Sequence, residues 1–526
     1  MSSSTTRLTQ GIHRALDLYA PRPALVSSEG TISWQAFGDR VARLAGALKE
    51  LGIGPGDRVA MLALNSARYV EYYFGVIWAG GVLAPVNCRW AEPEKAHCLT
   101  DSGAKVLLAD ADHLEEALAL AATCGSVLHV IAMGAAAERA TGGALDYEAL
   151  VSESAPVEDA QRGGTDLAAL FYTGGTTGRA KGVMLSHENF IANSMTALVN
   201  LGISEDSVHL HVAPLFHLAG GSRLFTVTVA GGTHAVIPRF EAGEFLGAIE
   251  RFGVTVTVIV PTMLNTLLQH PNFEAFDLTS LDLLCYGASP MPESLLREAM
   301  ERLPGVRFLQ SYGMTELSPV ATMLEPKFHT FEGPLAGKIR SAGRAVFNAD
   351  VAIMGPDDGP LPRGEVGEIC VRGPMVMQGY WGQPALTAEA LRGGWMHTGD
   401  AGYLDEDGFL FLVDRVKDMI ITGGENVYSA AVENVLYLHP DVHECAVIGV
   451  PSDAWGEAVH AIVVPGPGAE LDEAAVIEHC RAHLAGYECP KTVEFVAGEL
   501  PKSGAGKILK AELRRSHWQG QARNIH

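Results

Sequence analysis

The stretch Tyr172-Thr-Gly-Gly-Thr-Thr-Gly-Arg-Ala-Lys-Gly-Val183 is the strongest indication of how this chain of 526 residues folds. It follows the apolar run 167–172, which is typical of a buried strand. Its glycines allow a sharp turn that exposes backbone N–H groups, while its threonines and basic residues add hydroxyl donors and positive charge. The stretch therefore predicts a polyphosphate-binding loop that consists of Thr173, Gly174, Gly175, Thr176, Thr177, Gly178 and Lys181.

Two common phosphate-binding motifs do not fit this stretch. A Walker A loop needs its lysine directly after the last glycine and then a serine or threonine, and a dinucleotide fold needs G-x-G-x-x-G. A surface turn rich in glycine and threonine is the alternative interpretation. The density of the pattern favours ATP chemistry.

The composition is that of a large acidic protein. Its length exceeds one ordinary hydrophobic core, so several domains are expected. A formal net charge of −23 argues against nucleic acid or an anionic membrane as a partner. The eight cysteines lack metal-binding spacing and indicate reduced thiols. Because the sequence shows neither an apolar signal segment nor a membrane-spanning stretch, we expect a cytoplasmic protein without membrane insertion.

The first part of the chain has an alternating pattern. Strand-like and helix-like runs follow one another from residue 30 to about residue 320, which predicts an α/β fold with doubly wound layers. Ser33 and Ser66 precede two of the helix-like runs and are expected to cap them.

The later part has a different texture. Short apolar runs broken by Gly and Pro indicate a small β-rich subdomain over 343–413. After the charged segment 414–418 the pattern becomes mixed α+β. The sequence thus predicts a large N-terminal domain over 1–413 and a smaller C-terminal domain over 419–526.

A second motif, Gln310-Ser-Tyr-Gly-Met-Thr-Glu316, follows a predicted strand. In open α/β sheets ligands bind beyond the carboxyl ends of the strands, so Tyr312 is placed to stack on a base. Glu316 offers a hard oxygen ligand for Mg²⁺. Alone the motif is weak, because an aromatic residue beside glycine and an exposed glutamate are common in turns.

Five motifs in a fixed order make the assignment strong, and the chain resembles the adenylate-forming superfamily of acyl-CoA synthetases, luciferases and peptide synthetase adenylation domains. The resemblance extends from about residue 10 to residue 515. Besides the phosphate loop, it is carried by Ser311–Glu316, Trp395–Asp400, Asp414–Asp418 with Thr422–Asn426, and Pro501–Lys507.

The resemblance implies an enzyme with two half-reactions. A carboxylate attacks the α-phosphate of Mg·ATP to give acyl-AMP, and a thiol then displaces AMP. The residues that the resemblance assigns to ATP, besides the phosphate loop, are Gly287, Ala288, Ser289, Ser311, Tyr312, Gly313, Thr315, Asp400, Arg415 and Lys507. Glu316 and Thr173 would bind Mg²⁺, Thr173 would also take part in catalysis, and Asp400 would accept hydrogen bonds from the ribose hydroxyls.

The C-terminal domain would move between the half-reactions. The resemblance makes Lys507 the adenylation lysine, whose ammonium would stabilise charge on the α-phosphoryl transition state. It makes Lys417, in the segment 414–418, the hinge of that motion. The glycine-rich path for the CoA thiol would consist of Gly423, Gly424 and Glu425.

The acceptor is expected to be free CoA. No carrier domain follows residue 515, although stand-alone members that serve a separate carrier protein exist. The alternative function of another class is a catalytically silent nucleotide-binding protein. For assembly, a homodimer is possible.

The acid is expected to be an apolar medium- or long-chain fatty acid, because the likely pocket contains no carboxylate and its small residues suggest depth. That pocket consists of Phe216, His217, Leu218, Ala219, Gly220, Gly221, Cys285, Gly287, Ser311 and Val320, and the resemblance gives His217 a catalytic gating role. The alternative is a hydroxycinnamate such as ferulate or 4-coumarate. Its ring hydroxyl would need a polar partner such as Ser222, His211 or His234.

Overall fold

The protein is described here by a computed structural model of residues 6–134, 143–175, 178–289, 291–415, 418–452, 454–502 and 508–518. Two large sheets with helices between them and on both outer faces form the N-terminal part of the chain. A four-stranded sheet and a five-stranded sheet follow. The predicted mixed α/β fold, with a large N-terminal and a small C-terminal unit, is confirmed.

The first large sheet has nine strands: β1 (Pro23–Ser27), β2 (Gly30–Ser33), β10 (Val208–His211), β11 (Thr233–Val236), β12 (Val256–Ile259), β13 (Leu283–Gly287), β14 (Arg307–Gly313), β15 (Val320–Leu324) and β16 (Arg344–Ala345). Their order is β16-β15-β14-β13-β12-β10-β11-β1-β2. The six strands from β14 to β1 are parallel, and antiparallel strands close both edges.

The second large sheet has eight strands: β3 (Arg58–Leu62), β4 (Val82–Pro85), β5 (Val106–Ala109), β6 (His129–Ala132), β7 (Leu145–Asp146), β8 (Leu167–Gly175), β9 (Gly178–Ser186) and β19 (Gly379–Tyr380). Their order is β19-β9-β8-β4-β3-β5-β6-β7. Its central parallel strands β3, β4 and β5 are short and largely buried on both faces, as expected when helices cover both sides of a sheet.

The helices form three layers. Between the sheets lie α1 (Gln10–Tyr19), α2 (Trp34–Glu50), α3 (Ala67–Ala79), α6 (Tyr147–Glu153), α7 (His187–Leu201) and α8 (Leu218–Ala230). The outer face of the first sheet is covered by α9 (Ala242–Phe252), α10 (Pro261–Leu268) and α11 (Glu293–Arg302). The outer face of the second is covered by α4 (Glu92–Ser102) and α5 (Leu114–Thr123).

The predicted helix caps are confirmed. Ser33 Oγ accepts a hydrogen bond from the Ala36 N–H at the start of α2, and Ser66 Oγ accepts one from Tyr69 at the start of α3. Such a cap satisfies backbone donors that have no partner within the helix.

The β-rich part is an antiparallel sheet of β17 (Asp350–Met354), β18 (Gly367–Arg372), β20 (Met396–Leu404) and β21 (Leu410–Arg415), with α12 (Pro384–Ala390) between β19 and β20. Strand β21 includes the first two residues of the segment 414–418 that the sequence assigns to a hinge. Asp414 therefore belongs to this sheet and directly precedes the C-terminal unit in the chain.

The C-terminal unit is α+β. Its strands are β22 (Ile420–Thr422), β23 (Glu425–Val427), β24 (Val442–Ser452), β25 (Gly456–Pro465) and β26 (Thr492–Phe495). Its helices are α13 (Ser429–Leu436), α14 (Glu473–Arg481) and α15 (Lys510–Arg515). Buried apolar residues of α13, α14, β24 and β25 form a core of their own.

All eight cysteines are free thiols. No helix in the described part of the chain combines the length and the apolar character needed to cross a bilayer.

Candidate active site

The described residues of the phosphate loop lie on β8 and β9, which pair in antiparallel fashion. Thr173 lies directly opposite Lys181, so the two strands hold a hydroxyl and an ammonium side by side. A Cβ added to Gly174 would meet no atom within 4 Å, which shows that this position faces open space. Thr176 and Thr177 lie outside the described residues.

Glu316, the predicted metal ligand, lies in a 3-10 turn directly after β14 and is buried. Its Oε1 accepts a hydrogen bond from the Tyr380 hydroxyl at 2.9 Å. The Nζ atom of Lys181 lies 5.3 Å from the centroid of the Tyr380 ring. Burial and the Glu316 carboxylate raise the pKa of Tyr380, so its hydroxyl keeps the proton that it donates. Tyr380 therefore joins the predicted metal ligand to the predicted phosphate-binding lysine.

Tyr312 and Asp400 are brought together although 88 residues separate them. The Tyr312 hydroxyl donates to Asp400 Oδ2 at 2.8 Å, and the Tyr312 side chain is largely buried. The backbone of Arg415 lies directly opposite Asp400 in the neighbouring strand. The residues predicted to hold the base and the ribose thus belong to one continuous group.

Close backbone contacts shape the ends of the neighbouring strands β13 and β14. A Cβ on Gly287 would lie 2.3 Å from the Ser311 carbonyl oxygen, and one on Gly313 would lie 1.9 Å from that of Pro319. Ala288 has a φ of +65°, a backbone conformation that residues other than glycine rarely adopt. The backbone turns away from β13 at this point, with Ser289 next in the chain, at the sheet edge where the sequence predicts the base.

Glu368 was missed by sequence reasoning. Its Oε1 accepts a hydrogen bond from the Gly399 N–H at 3.0 Å, and its Oε2 lies 2.8 Å from His397 Nδ1. These contacts hold the backbone immediately before Asp400, where Gly399 has a φ of +71°. The sequence run that contains Glu368 indicated only a strand, because the partners lie about thirty residues away.

His217 begins α8. Its Nδ1 accepts a hydrogen bond from the Ala219 N–H at 3.3 Å, and burial lowers its pKa to about 4. The imidazole is therefore neutral near pH 7. The predicted neighbours Phe216, Leu218 and Val320 are buried in the apolar core between the two large sheets. The predicted gating role of His217 stays a prediction.

The glycines at 220 and 221 do not provide the depth that the sequence suggested. A Cβ on Gly220 would lie 2.6 Å from the Pro214 carbonyl oxygen, and one on Gly221 would lie 2.0 Å from the Tyr73 hydroxyl. Glycine is needed at both positions because α8 packs tightly against its own entry loop and against α3. The space for an acyl group must therefore be sought beside other residues of this helix.

The predicted residues of the C-terminal unit lie apart from this group in the sequence. Gly423 and Gly424 have φ values of +60° and +87° and form the exposed turn between β22 and β23, and Glu425 is the first residue of β23. The predicted catalytic residue Lys507 and the predicted hinge residue Lys417 lie outside the described residues.

Lys510, three residues after Lys507, was not singled out from the sequence. Its Nζ, on a largely buried side chain, lies 2.7 Å from Glu433 Oε1 and donates to Ser429 Oγ at 2.6 Å. The Ser429 hydroxyl in turn donates to Asp414 Oδ2 at 2.7 Å. This buried network ties the helix that follows Lys507 to α13 and to the end of β21.

Similarity to known proteins identifies the family of this chain. A family model described as AMP-binding enzyme matches residues 12–381, and one described as AMP-binding enzyme C-terminal domain matches residues 431–507. The chain is 43% identical over 498 residues to a feruloyl-CoA synthase from Amycolatopsis sp, covering 94% of this chain and 96% of that protein.

Two further relatives differ in the reaction partner that their names state. The chain is 37% identical over 510 residues to fatty acid–[acyl-carrier-protein] ligase ScoC from Streptomyces coeruleorubidus, covering 96% of this chain and 95% of that protein. The solved structure of amide bond synthetase McbA from Marinactinospora thermotolerans superposes with a TM-score of 0.87 at 33% identity, covering 96% and 99% of the two chains. Taken with the fold, these matches show that the chain belongs to the AMP-binding enzyme family, as an AMP-forming acid–thiol ligase that uses ATP, Mg²⁺ and CoA.

Proposed function

We propose that this enzyme is an aryl-CoA ligase whose acid carries an oxygen substituent on its ring, as a hydroxycinnamate does. One observation carries the proposal. Ser222 Oγ, Arg223 Nε and Nη1, and His209 Nδ1 are buried and have no hydrogen-bond partner among the residues that the structure describes. Unpaired polar groups of this kind are rare inside proteins, and a group of three calls for a ligand.

These groups lie beside the predicted acyl pocket. Ala219, Ser222, Arg223 and Thr226 follow one another at helical spacing and so share one side of α8. The charge of Arg223 acts on Cys285, which the sequence places in the pocket lining, and on His209.

The neighbouring face of the first sheet carries further residues of the predicted pocket. His209, Val258, Cys285 and Ser311 lie on the same face of the first sheet, as the strand registers show. Val258 and Ser311 remain partly accessible although their strands are central in the sheet. We infer that the acyl group lies between this face and α8, with its far end at Arg223.

The histidines around Arg223 are neutral. His211 Nε2 lies 2.9 Å from His234 Nδ1, and His234 Nε2 lies 3.0 Å from Thr228 Oγ1. Burial lowers the pKa of all three histidines, and the Arg223 charge adds to the effect at His209. Of the hydroxyl partners expected from the sequence, Ser222 keeps an unpaired oxygen, whereas His234 uses both its nitrogens.

A hydrocarbon tail fits this environment poorly. The tail would exclude water from the Arg223 guanidinium, which has no carboxylate partner in the described ranges. A buried charge without a partner is unfavourable by several kcal/mol. A ring hydroxyl or methoxy oxygen accepts from Arg223, and a hydroxyl also donates to His209 Nδ1. The expectation of a fatty acid was made without regard to Arg223. It stays a prediction, and the same measurements test it.

The decisive experiment compares acids in wild type and in Arg223→Met. We expect the wild-type kcat/KM for 4-coumarate to exceed that for decanoate. Arg223→Met should lower kcat/KM for 4-coumarate by about 10- to 150-fold, since a hydrogen bond to a charged group contributes about 1.5–3 kcal/mol. Cinnamate, which lacks the ring oxygen, is the matched control and should change little. A wild-type preference for decanoate would refute the proposal.

The metal site gives a separate prediction. We propose that Glu316, oriented by Tyr380, binds the Mg²⁺ that accompanies ATP. We also propose that Lys181 contacts the outer phosphates of ATP. Glu316→Gln should raise the Mg²⁺ concentration for half-maximal adenylation by about 10-fold or more, because it removes a charged oxygen ligand. Tyr380→Phe should act in the same direction by loosening that ligand.

A Mg²⁺ titration of pyrophosphate release measures both effects. The matched control is Glu332→Gln, because Glu332 is an exposed carboxylate of the same domain. If the titration of the Glu316 variant superposes on that of wild type, Glu316 is a structural turn residue.

A further inference from the structure

We propose that the C-terminal unit contains a binding site for a divalent transition metal, Zn²⁺ being the best fit, formed by His460, Glu494 and His517. His460 lies on β25, Glu494 on the adjacent strand β26, and His517 two residues beyond the end of α15. The site is independent of the acid that the enzyme activates.

The distances between the ligand atoms fit a shared metal ion. Glu494 Oε2 lies 3.6 Å from His460 Nε2 and 3.7 Å from His517 Nε2. Both separations are too long for hydrogen bonds. Two ligands that each lie about 2.0–2.2 Å from one zinc ion are separated by roughly this distance.

His460 is prepared to act as a ligand. Its Nδ1 lies 2.7 Å from Thr492 Oγ1, while its Nε2 is buried and has no hydrogen-bond partner in the part of the chain that the structure describes. When Nδ1 donates to the Thr492 hydroxyl, Nε2 is the nitrogen left with a lone pair for a metal ion, the arrangement usual for metal-bound histidines. The side chains of Glu494 and His517 are 51% and 27% exposed, so an ion and its waters have access.

A second group of potential ligands, Glu368, Cys370 and His397, does not compete as a site. Glu368 Oε2 already accepts from Arg392 and lies 2.8 Å from His397 Nδ1. A cation there would have to displace a guanidinium. In the C-terminal group, by contrast, the buried nitrogen has no such competitor.

The expected consequence is mechanical. A metal ion would join α15 to the β25–β26 pair. It would thus stabilise the strands that precede the segment 503–507 and the helix that follows it. That segment contains Lys507. Zn²⁺ should therefore raise the melting temperature of the C-terminal unit.

The test uses the full-length protein without an affinity tag, treated with a chelator and titrated with ZnCl₂ by calorimetry in the absence of ATP. We expect one equivalent to bind, and His517→Ala and Glu494→Gln to weaken that binding by about 10-fold or more. His443→Ala, at an exposed histidine of the same unit, and His397→Ala should leave it unchanged.

Two results would overturn the proposal: no zinc uptake by wild type, or equal uptake by wild type and both ligand variants. Pyrophosphate release with Mg²⁺ and 4-coumarate is measured in the same variants. Since these ligands lie outside the adenylation site, their replacement should leave that rate intact, so failure of the metal site is distinguishable from failure of the proposed reaction.

Discussion

Replacing Lys507 with Ala is expected to slow acyl-adenylate formation by about two to three orders of magnitude. Removing one preorganised group that stabilises developing charge typically has an effect of this size. The loss should appear in kcat more than in KM, because the interaction develops mainly in the transition state. Pyrophosphate release in single-turnover conditions measures it.

The second half-reaction supplies the internal control for Lys507. When acyl-AMP is provided, the variant should form the CoA thioester at close to the wild-type rate, because that step needs no charge at the α-phosphoryl group. Lys491→Ala, which removes an exposed lysine from the same unit, should leave both steps intact. Equal loss of both half-reactions in the Lys507 variant would refute its assignment to adenylation.

Lys510→Met is expected to destabilise the C-terminal unit by about 3–5 kcal/mol, the usual effect of removing one partner from a buried ion pair. Burial lowers the pKa of Lys510, but the Glu433, Asp414 and Asp418 carboxylates together outweigh that effect, so the pKa is raised and the ammonium is charged in the native state. Its removal leaves Glu433 buried without its counter-charge. Calorimetric unfolding should show a lower transition temperature for this unit.

Two further measurements distinguish this mechanism from simple loss of packing. Burial raises the pKa of Glu433, and without Lys510 the pKa should rise further. A raised carboxyl pKa favours the native state at low pH, so the defect of Lys510→Met should shrink as the pH falls towards about 5 and grow as it rises. The double variant Lys510→Met/Glu433→Leu should recover most of the stability, and failure to recover it would contradict the ion-pair explanation.

The sequence was sufficient for the features that depend on local chemistry. Ser33 and Ser66 were recognisable as caps because a cap acts on backbone groups two or three residues away. The alternation of apolar strands and amphipathic helices predicted the layered α/β fold, because this pattern too can be read within a short stretch of sequence. Tyr312 and Glu316 were singled out because they lie in or just after the end of a strand, where ligands bind in such sheets, and their roles stay predictions.

The sequence was insufficient where a residue acts through distant partners. Tyr380 meets Glu316 across 64 positions, and the Lys510 ammonium meets the Ser429 hydroxyl across 81. No local pattern encodes such pairs. Arg223 was missed for another reason: it lies in an apolar helix where a single basic residue draws no attention until its burial and lack of a partner are known.

The tight packing of Gly220 and Gly221 bears on how this enzyme could acquire new substrates. Tyr73 donates its hydroxyl hydrogen to the Leu215 carbonyl oxygen at 2.6 Å and also faces Gly221, so the first turn of α8 is held by the protein core. Mutational drift cannot readily slide or tilt this helix to admit a larger acid. Changes of specificity during divergence, or in a directed-evolution library, should therefore concentrate at Ala219, Ser222, Arg223 and Thr226, where a side chain can be exchanged while the backbone stays in place.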